Sequence, residues 1–326
     1  MALTLLSMSF MGFLVIGVPV AFAIGLASIA TIAYEDLPIA VAFQQMTSGM
    51  NAFSFLAIPF FIFTGELMLY GGIADRIVSF AKSMVGHVRG GLGMSNVVAC
   101  TLFGGVSGSP VADVSAMGSV MIPMMKREGY HADYAVNVTT HAALVGALMP
   151  TSHNIIIYTL AAGGKVSIAA LIAAGIVPAV ILTVCNLLAA YLVARKRGYP
   201  AGTFPGWHIV ARSLVAATPG LFVVVLIIVG ILSGVFTATE SAAVAVLYAL
   251  ALTVFVYRSL TWDQFVRAAS KAVKTTGVVL LLIGISATFG YLISFYGVAE
   301  KTGQLMASIS TEPRAIFLMV NIILFV

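Results

Sequence analysis

Long apolar stretches separated by short charged segments run the length of the chain. Leu3 to Ala33, Ala52 to Gly71, Tyr134 to Gly163, Val166 to Ala194, Ser213 to Leu232, Phe236 to Tyr257 and Thr275 to Tyr296 are each near or above the ~20 residues that a bilayer core requires. They predict membrane-crossing helices. Gly91 to Met125 and Ala315 to the end are also apolar but do not behave as simple crossings. Between the crossings the period changes. Ile73, Ile77, Phe80 and Met84 share one helical face while Asp75, Arg76 and Lys82 lie off it, and Trp262, Phe265, Val266, Ala269 and Val273 repeat the pattern against Asp263, Arg267, Lys271 and Lys274. Such helices predict arms lying in the membrane plane, or faces packed on a partner subunit.

Composition removes the alternative of a water-soluble fold, because 61% of the 326 residues are hydrophobic and only 8% are charged. The fold class is an all-α polytopic membrane protein. With a cytoplasmic N-terminus, thirteen of the sixteen lysines and arginines fall in inside segments, leaving only Lys165, Lys301 and Arg314 outside. The net charge of +5 therefore reports topology and headgroup contact, and no basic surface interleaved with aromatics suits nucleic acid. Met1 opens a charge-free run with no cationic leader, which reads as an uncleaved first helix. Cys100 and Cys185 lie within apolar segments and read as small core residues rather than a disulfide or metal site.

A phrase recurs at an offset of 225 residues: Gly72-Ile73-Ala74-Asp75-Arg76 returns as Gly297-Val298-Ala299-Glu300-Lys301, and Gly65, Arg89 and Asn96 pair with Gly290, Arg314 and Asn321. The topology puts the first copy inside and the second outside, so the repeats are inverted, as in many secondary transporters. The first repeat spans 1–212: crossing 3–33, crossing 52–71, arm 72–89, re-entrant hairpin 90–126, broken helix 131–163, crossing 166–194 and cytoplasmic loop 195–212. The remainder, 213–326, holds crossings 213–232 and 236–257, arm 260–274, crossing 275–296, arm 297–312 and the start of a second hairpin at 314–326.

Arg89 before Gly91 and Lys126-Arg127 after Met125 put both ends of that stretch in the cytoplasm, which makes it re-entrant. Its middle, Gly104-Gly105-Val106-Ser107-Gly108-Ser109-Pro110, ends one helix at the glycines and starts another with Ser109 as N-cap and Pro110 as first helical residue. The next crossing breaks at Pro150-Thr151-Ser152-His153-Asn154, with Asn154 capping a second half from Ile155. Both interruptions fall at one depth, because the preceding helices are about 20 and 24 Å long at ~1.5 Å per residue. Unpaired carbonyls at Gly104, Gly105 and Met149, with the hydroxyls of Ser107, Ser109, Thr151 and Ser152, offer hard ligands to sodium. The helix starts at Pro110 and Ile155 point N–H groups at an anion. A cation and a carboxylate bound together avoid burying a lone charge; a kink that only lets helices pack is the plainer reading.

Asp113, one turn into the second hairpin helix, suits either the helix start or the cavity. Glu240 follows Thr237 at capping-box spacing. Glu66, near the end of its crossing, suits snorkelling or a contact with another subunit. His153, inside the break, suits substrate, and His141 is expected to be satisfied within its helix. Gly105-Val106-Ser107-Gly108 also matches the G-x-S-G of rhomboid-like intramembrane proteases, with Ser107 as nucleophile and His141 or His153 as base. A passive anion channel is a third reading.

The sequence resembles the large membrane subunit of TRAP transporters, the tripartite ATP-independent periplasmic carriers of organic acids. The resemblance rests on Ser107-Gly108-Ser109-Pro110-Val111-Ala112-Asp113, Lys126-Arg127-Glu128-Gly129-Tyr130, Pro150 leading into Ile155-Ile156-Ile157-Tyr158, and Gly234-Val235-Phe236-Thr237-Ala238-Thr239-Glu240. It implies an elevator-type carrier rather than an enzyme, in the bacterial inner membrane, driven by sodium and needing no other cofactor. Its implied partners are a small four-helix membrane subunit (Q) and a periplasmic substrate-binding protein (P). The family commonly has Pro-Pro-Ser at the break; Pro150-Thr151-Ser152-His153-Asn154 looks like the sialic acid members, so N-acetylneuraminate is preferred over a C4-dicarboxylate or other carboxylate. The expected sodium ligands are Gly105, Ser107, Gly108, Ser109, Pro150 and Thr151. The expected substrate ligands are Ser109, Asp113, Ser152, His153 and Asn154. Because the offset carries the second tip and break past Val326, the second repeat is expected to be incomplete and the natural protein to continue for roughly another hundred residues.

Overall fold

The computed structural model describes residues 1–162, 165–310 and 312–325. The expected boundaries at Gly163 and Val326 lie outside the described residues. Regular structure among the described residues is helical: α1 Ala2–Val15, α2 Val20–Tyr34, α3 Ala40–Met50, α4 Ala57–Tyr70, α5 Ile73–Val85, α6 Gly91–Ser107, α7 Pro110–Arg127, α8 Ala132–Ala143, α9 His153–Ala161, α10 Ile168–Lys196, α11 Trp207–Leu232, α12 Ala238–Ala251, α13 Trp262–Phe295, α14 Val298–Ile309 and α15 Pro313–Phe325. Among the described residues, five helices, Phe53–Tyr70, α10, α11, Ala238–Val256 and α13, are long and apolar enough to cross a membrane. Ala132–Leu148 and His153–Ala161 meet that test together, bent by 49° at their break.

Packing divides the chain into two compact units, residues 1–52 with 277–326, and residues 53–276. This division is drawn by packing rather than by repeat. In the first unit, Leu6, Ala27, Ile32, Ala42 and Leu292 form a core, and the Thr288 hydroxyl donates to the Ala42 carbonyl at 3.1 Å. The second unit contains the hairpin and the broken helix. Leu92, at the start of α6, and Met125, near the end of α7, share a buried cluster with Tyr130, Tyr134, Ala194 and Tyr199. The two ends of the hairpin are therefore packed together. The start of α6 is also fixed there by the Gly90 N–H donating to the Pro200 carbonyl at 3.1 Å and by an antiparallel bridge between Arg89 and Ala201. The Tyr134 hydroxyl donates to the Ala190 carbonyl at 2.8 Å in this buried cluster. Tyr134→Phe removes one hydrogen bond and leaves a buried acceptor, so it should cost about 1 kcal/mol, measured as a lower thermal midpoint in detergent.

Four expectations about the elements need correction. The crossing at 3–33 is two helices packed on each other, because Gly17 takes φ +88 and Pro19 can only precede, not continue, a helix. The arm at 260–274 and the crossing at 275–296 are one helix, α13, of 34 residues; no proline interrupts it, and Gly277 stays helical. The apolar face of α5 is not a membrane-plane face: Ile73, Ile77 and Phe80 are buried against α6 and α11 of the same chain. Cys185 is exposed rather than in the core, whereas Cys100 is buried.

Element boundaries keep the 225-residue offset. α4 ends at Tyr70 and α13 at Phe295, and α5 and α14 both start after a left-handed glycine, Gly72 at φ +70 and Gly297 at φ +61. Each carries an acid in its first turn, Asp75 and Glu300. The Thr237–Glu240 capping box forms as expected at the start of α12.

Candidate functional site

The hairpin turn is two residues long. Gly108 takes φ +60 and its N–H donates to the Gly104 carbonyl at 2.9 Å, closing α6 with a left-handed cap. Ser109 is extended, its Oγ accepts the Ala112 N–H at 3.4 Å, and Pro110 opens α7. The N-cap is where the sequence put it, but α6 does not end at Gly104-Gly105. It runs on to Ser107, because only Gly108 adopts the left-handed conformation that stops it.

The facing element ends as α8, tightens into a 3-10 turn over Leu144–Leu148, and becomes extended at Met149. α9 then begins with Ser152 as its cap, Ser152 Oγ accepting the Asn154 N–H at 3.3 Å. Ser152, not Asn154, holds the cap, and Asn154 is exposed. The two interruptions touch. A methyl group on Gly108 would lie 2.3 Å from the Thr151 carbonyl oxygen and 2.6 Å from the Ser152 nitrogen, and the Thr151 hydroxyl donates to the Gly105 carbonyl at 3.2 Å.

The three carbonyls expected to be unpaired each have one donor: Gly108 N–H on Gly104, Thr151 O–H on Gly105, and Ser152 N–H on Met149 at 2.9 Å. The turn chemistry of the tip and break supplies these donors. What remains is the second lone pair of each oxygen.

Asp113 is fully buried. Its Oδ1 accepts the Ser107 hydroxyl, and Ser107 Oγ in turn accepts the Ser109 N–H at 3.2 Å. Oδ2 has no hydrogen-bond partner among the described residues and sits between Gly104 and Gly146, where added methyl groups would come within 2.8 and 2.5 Å of it. Asp113 thus stands behind Ser107 rather than among the residues lining open space.

That open space is a cavity of about 160 Å³ against the hairpin tip. Ser107, Ser109 and His153 line it, with Glu66 and Lys271 opposite. Pro150, Thr151 and Ser152 are buried beside it in the break. Glu66 was expected to snorkel or meet another subunit; instead it is buried, with Oε1 3.1 Å from Lys271 Nζ and Oε2 unpartnered. An acid inside an apolar helix needs a partner, and that signal was available, but Lys271 read as part of a surface arm. The Ser107–His141 pair does not form: the Ser107 hydroxyl is committed to Asp113, and the exposed His141 ring places Nδ1 2.8 Å from its own helix's Asn137 carbonyl.

A polytopic all-α membrane protein with a hairpin tip seated on a broken helix is built as a solute permease. Comparison with known proteins specifies which kind. Residues 7–326 match the family described as the tripartite ATP-independent periplasmic transporter, DctM component, and the chain belongs to that family of transport permeases, which are not enzymes. It is 37% identical over 315 residues to the sialic acid TRAP transporter large permease protein SiaM of Vibrio cholerae, covering 96% of this chain and 73% of that protein. It is 33% identical over 325 residues to the C4-dicarboxylate TRAP transporter large permease protein DctM of Rhodobacter capsulatus, covering 94% and 73%. An uncharacterized protein, YgiK, of Salmonella typhimurium is 37% identical over 319 residues, covering 97% and 73%.

Proposed function

We propose that this permease takes up an organic acid by sodium symport, with N-acetylneuraminate the preferred substrate and a C4-dicarboxylate the alternative. One observation carries the reading: the Gly108 turn and the Thr151 break meet in a single junction where hard oxygens and two helix starts converge. Carbonyls and hydroxyls of Gly105, Ser107, Gly108, Ser109, Pro150 and Thr151 would hold sodium. The starts of α7 and α9, with Ser109, Ser152, His153 and Asn154, would hold the carboxylate. Asp113 contributes negative charge to the cation through Ser107 rather than touching substrate, a change from its expected role. The sialic acid preference is supported by the Pro150-Thr151-Ser152-His153-Asn154 break and by similarity to a relative named for that substrate; a relative at 33% identity is named for C4-dicarboxylates.

The proposed setting is the bacterial inner membrane, N-terminus in the cytoplasm, with a small membrane subunit and a periplasmic binding protein that delivers substrate. Transport is proposed to run as an elevator, the hairpin region sliding once the site is filled. Two sodium ions with one monoanion would carry net +1, and each inward charge is worth ~2.3 kcal/mol per 100 mV, so no ATP is needed.

The test is uptake in proteoliposomes holding the protein with its small subunit and binding protein, under imposed sodium and voltage gradients. Replacing sodium with choline should remove uptake, and Ser109→Ala should raise the half-saturating sodium concentration about fivefold or more, the scale of losing one modest ligand at ~1 kcal/mol. Uptake that survives complete removal of sodium rejects the coupling; an unchanged sodium titration removes Ser109 from the site.

A further inference from the structure

The cavity beside the hairpin tip holds one ion pair that the transport reading leaves unused. Glu66 on α4 is buried and offers Lys271 a single oxygen at 3.1 Å, while its other oxygen has no hydrogen-bond partner among the described residues. Lys271 keeps 41% of its side chain exposed. Both line the cavity with Ser109 and His153, the residues at the starts of α7 and α9. Two helix N-termini and an ammonium group around one space make it attractive to anions, and among the described residues Glu66 is the only acid on its lining.

A structural ion pair in a low-dielectric site is expected to satisfy both partners, since each unmet hydrogen bond to a buried charge is costly. Here the carboxylate is half satisfied and the ammonium still has N–H groups to give. We infer that Glu66 is a stand-in for the substrate's carboxylate: it holds Lys271 while the cavity is empty, and the incoming acid takes Lys271 over as the anchor for its carboxylate. Lys271 would then set affinity for an anionic substrate. Glu66 would set how readily that substrate is released, because it competes for the same ammonium. This rests on the proposal that the cargo is an organic acid.

The two roles predict effects of opposite sign, which a purely structural pair does not. In the reconstituted transporter, Lys271→Met should raise KM for N-acetylneuraminate about tenfold or more, the scale of one charge-assisted hydrogen bond, and Lys271→Arg should stay within about threefold of the starting protein. The same Met variant should lose most of the preference for the free acid over its methyl ester. Glu66→Gln should lower KM about threefold or more and lower kcat with it, as expected when a ground-state competitor is removed. Succinate serves as a second probe. If Glu66→Gln does not fold, the acid-to-ester ratio in Lys271→Met against Lys271→Arg still decides. Parallel losses in Glu66→Gln and Lys271→Met, with the ester ratio unchanged, overturn the inference and leave acid transport standing. A starting protein that takes up neither probe overturns the proposed function, and this inference with it.

Discussion

Replacing Gly108 with alanine should cut uptake about 100-fold or more, whereas Gly129→Ala should leave uptake within about twofold, the contrast following from what surrounds two equally left-handed residues. Gly108 has φ +60 and Gly129 has φ +85, so both substitutions carry the ~1–2 kcal/mol strain of a left-handed side chain. Gly129 has open space around it: no heavy atom lies within 4 Å of an added methyl group. At Gly108 the methyl would meet the carbonyl carbon and oxygen of Thr151 at 2.4 and 2.3 Å. These are backbone atoms on a buried segment, so no rotamer change relieves the overlap, and tip and break must separate. Separation breaks the Thr151–Gly105 hydrogen bond and moves the proposed sodium ligands apart, and misplacement by about 1 Å is enough to lose roughly two orders of magnitude in a positioned site. The check is parallel uptake and thermal unfolding of both variants. Gly129→Ala reports the strain alone; Gly108→Ala that transports normally would mean the two interruptions do not meet in the working protein.

What the sequence disclosed, and what it did not, divides by range. Local signals read correctly: Ser109 and Pro110 at the start of α7, the Thr237–Glu240 box, and the break after Met149. Each depends on residues within a turn of one another. The hairpin was legible because charge at Arg89 and Lys126 constrains both ends at once, and the shared Leu92–Met125 cluster answers it. The end of α6 was not, since Gly104, Gly105 and Gly108 are equally able to leave the helix, and it is the closeness of Thr151 that requires no side chain at Gly108. Gly17 and Pro19 were submerged in an apolar run longer than one crossing, yet that excess length was itself the clue to two helices. Hydrophobic periodicity also placed Lys271 on the polar side of an in-plane arm. Its partner, Glu66, is on a helix distant in sequence, and pairing at that range leaves no local trace.

Neutralising Asp113 should act on sodium and not on substrate. Asp113→Asn keeps the shape of the side chain and an oxygen for the Ser107 hydroxyl, so the tip should persist. It removes the ionisable carboxyl behind Ser107, whose second oxygen has no donor among the described residues. A carboxylate in that position, inside an apolar protein region, is stable only when a proton or a nearby cation offsets it. If sodium is the offsetting charge, the half-saturating sodium concentration should rise about tenfold or more in Asp113→Asn, equivalent to ~1.4 kcal/mol of lost binding, while KM for the organic acid at saturating sodium stays near its starting value. Asp113→Ala should do more, because it also strands the buried Ser107 hydroxyl at a further cost of about 1–3 kcal/mol. The opposite pattern, a raised substrate KM with an unmoved sodium titration, would return Asp113 to the substrate side of the site. The enclosure of the Asp113 carboxyl argues against that outcome: it is fully buried, with Oδ1 taken by the Ser107 hydroxyl and Oδ2 held between Gly104 and Gly146.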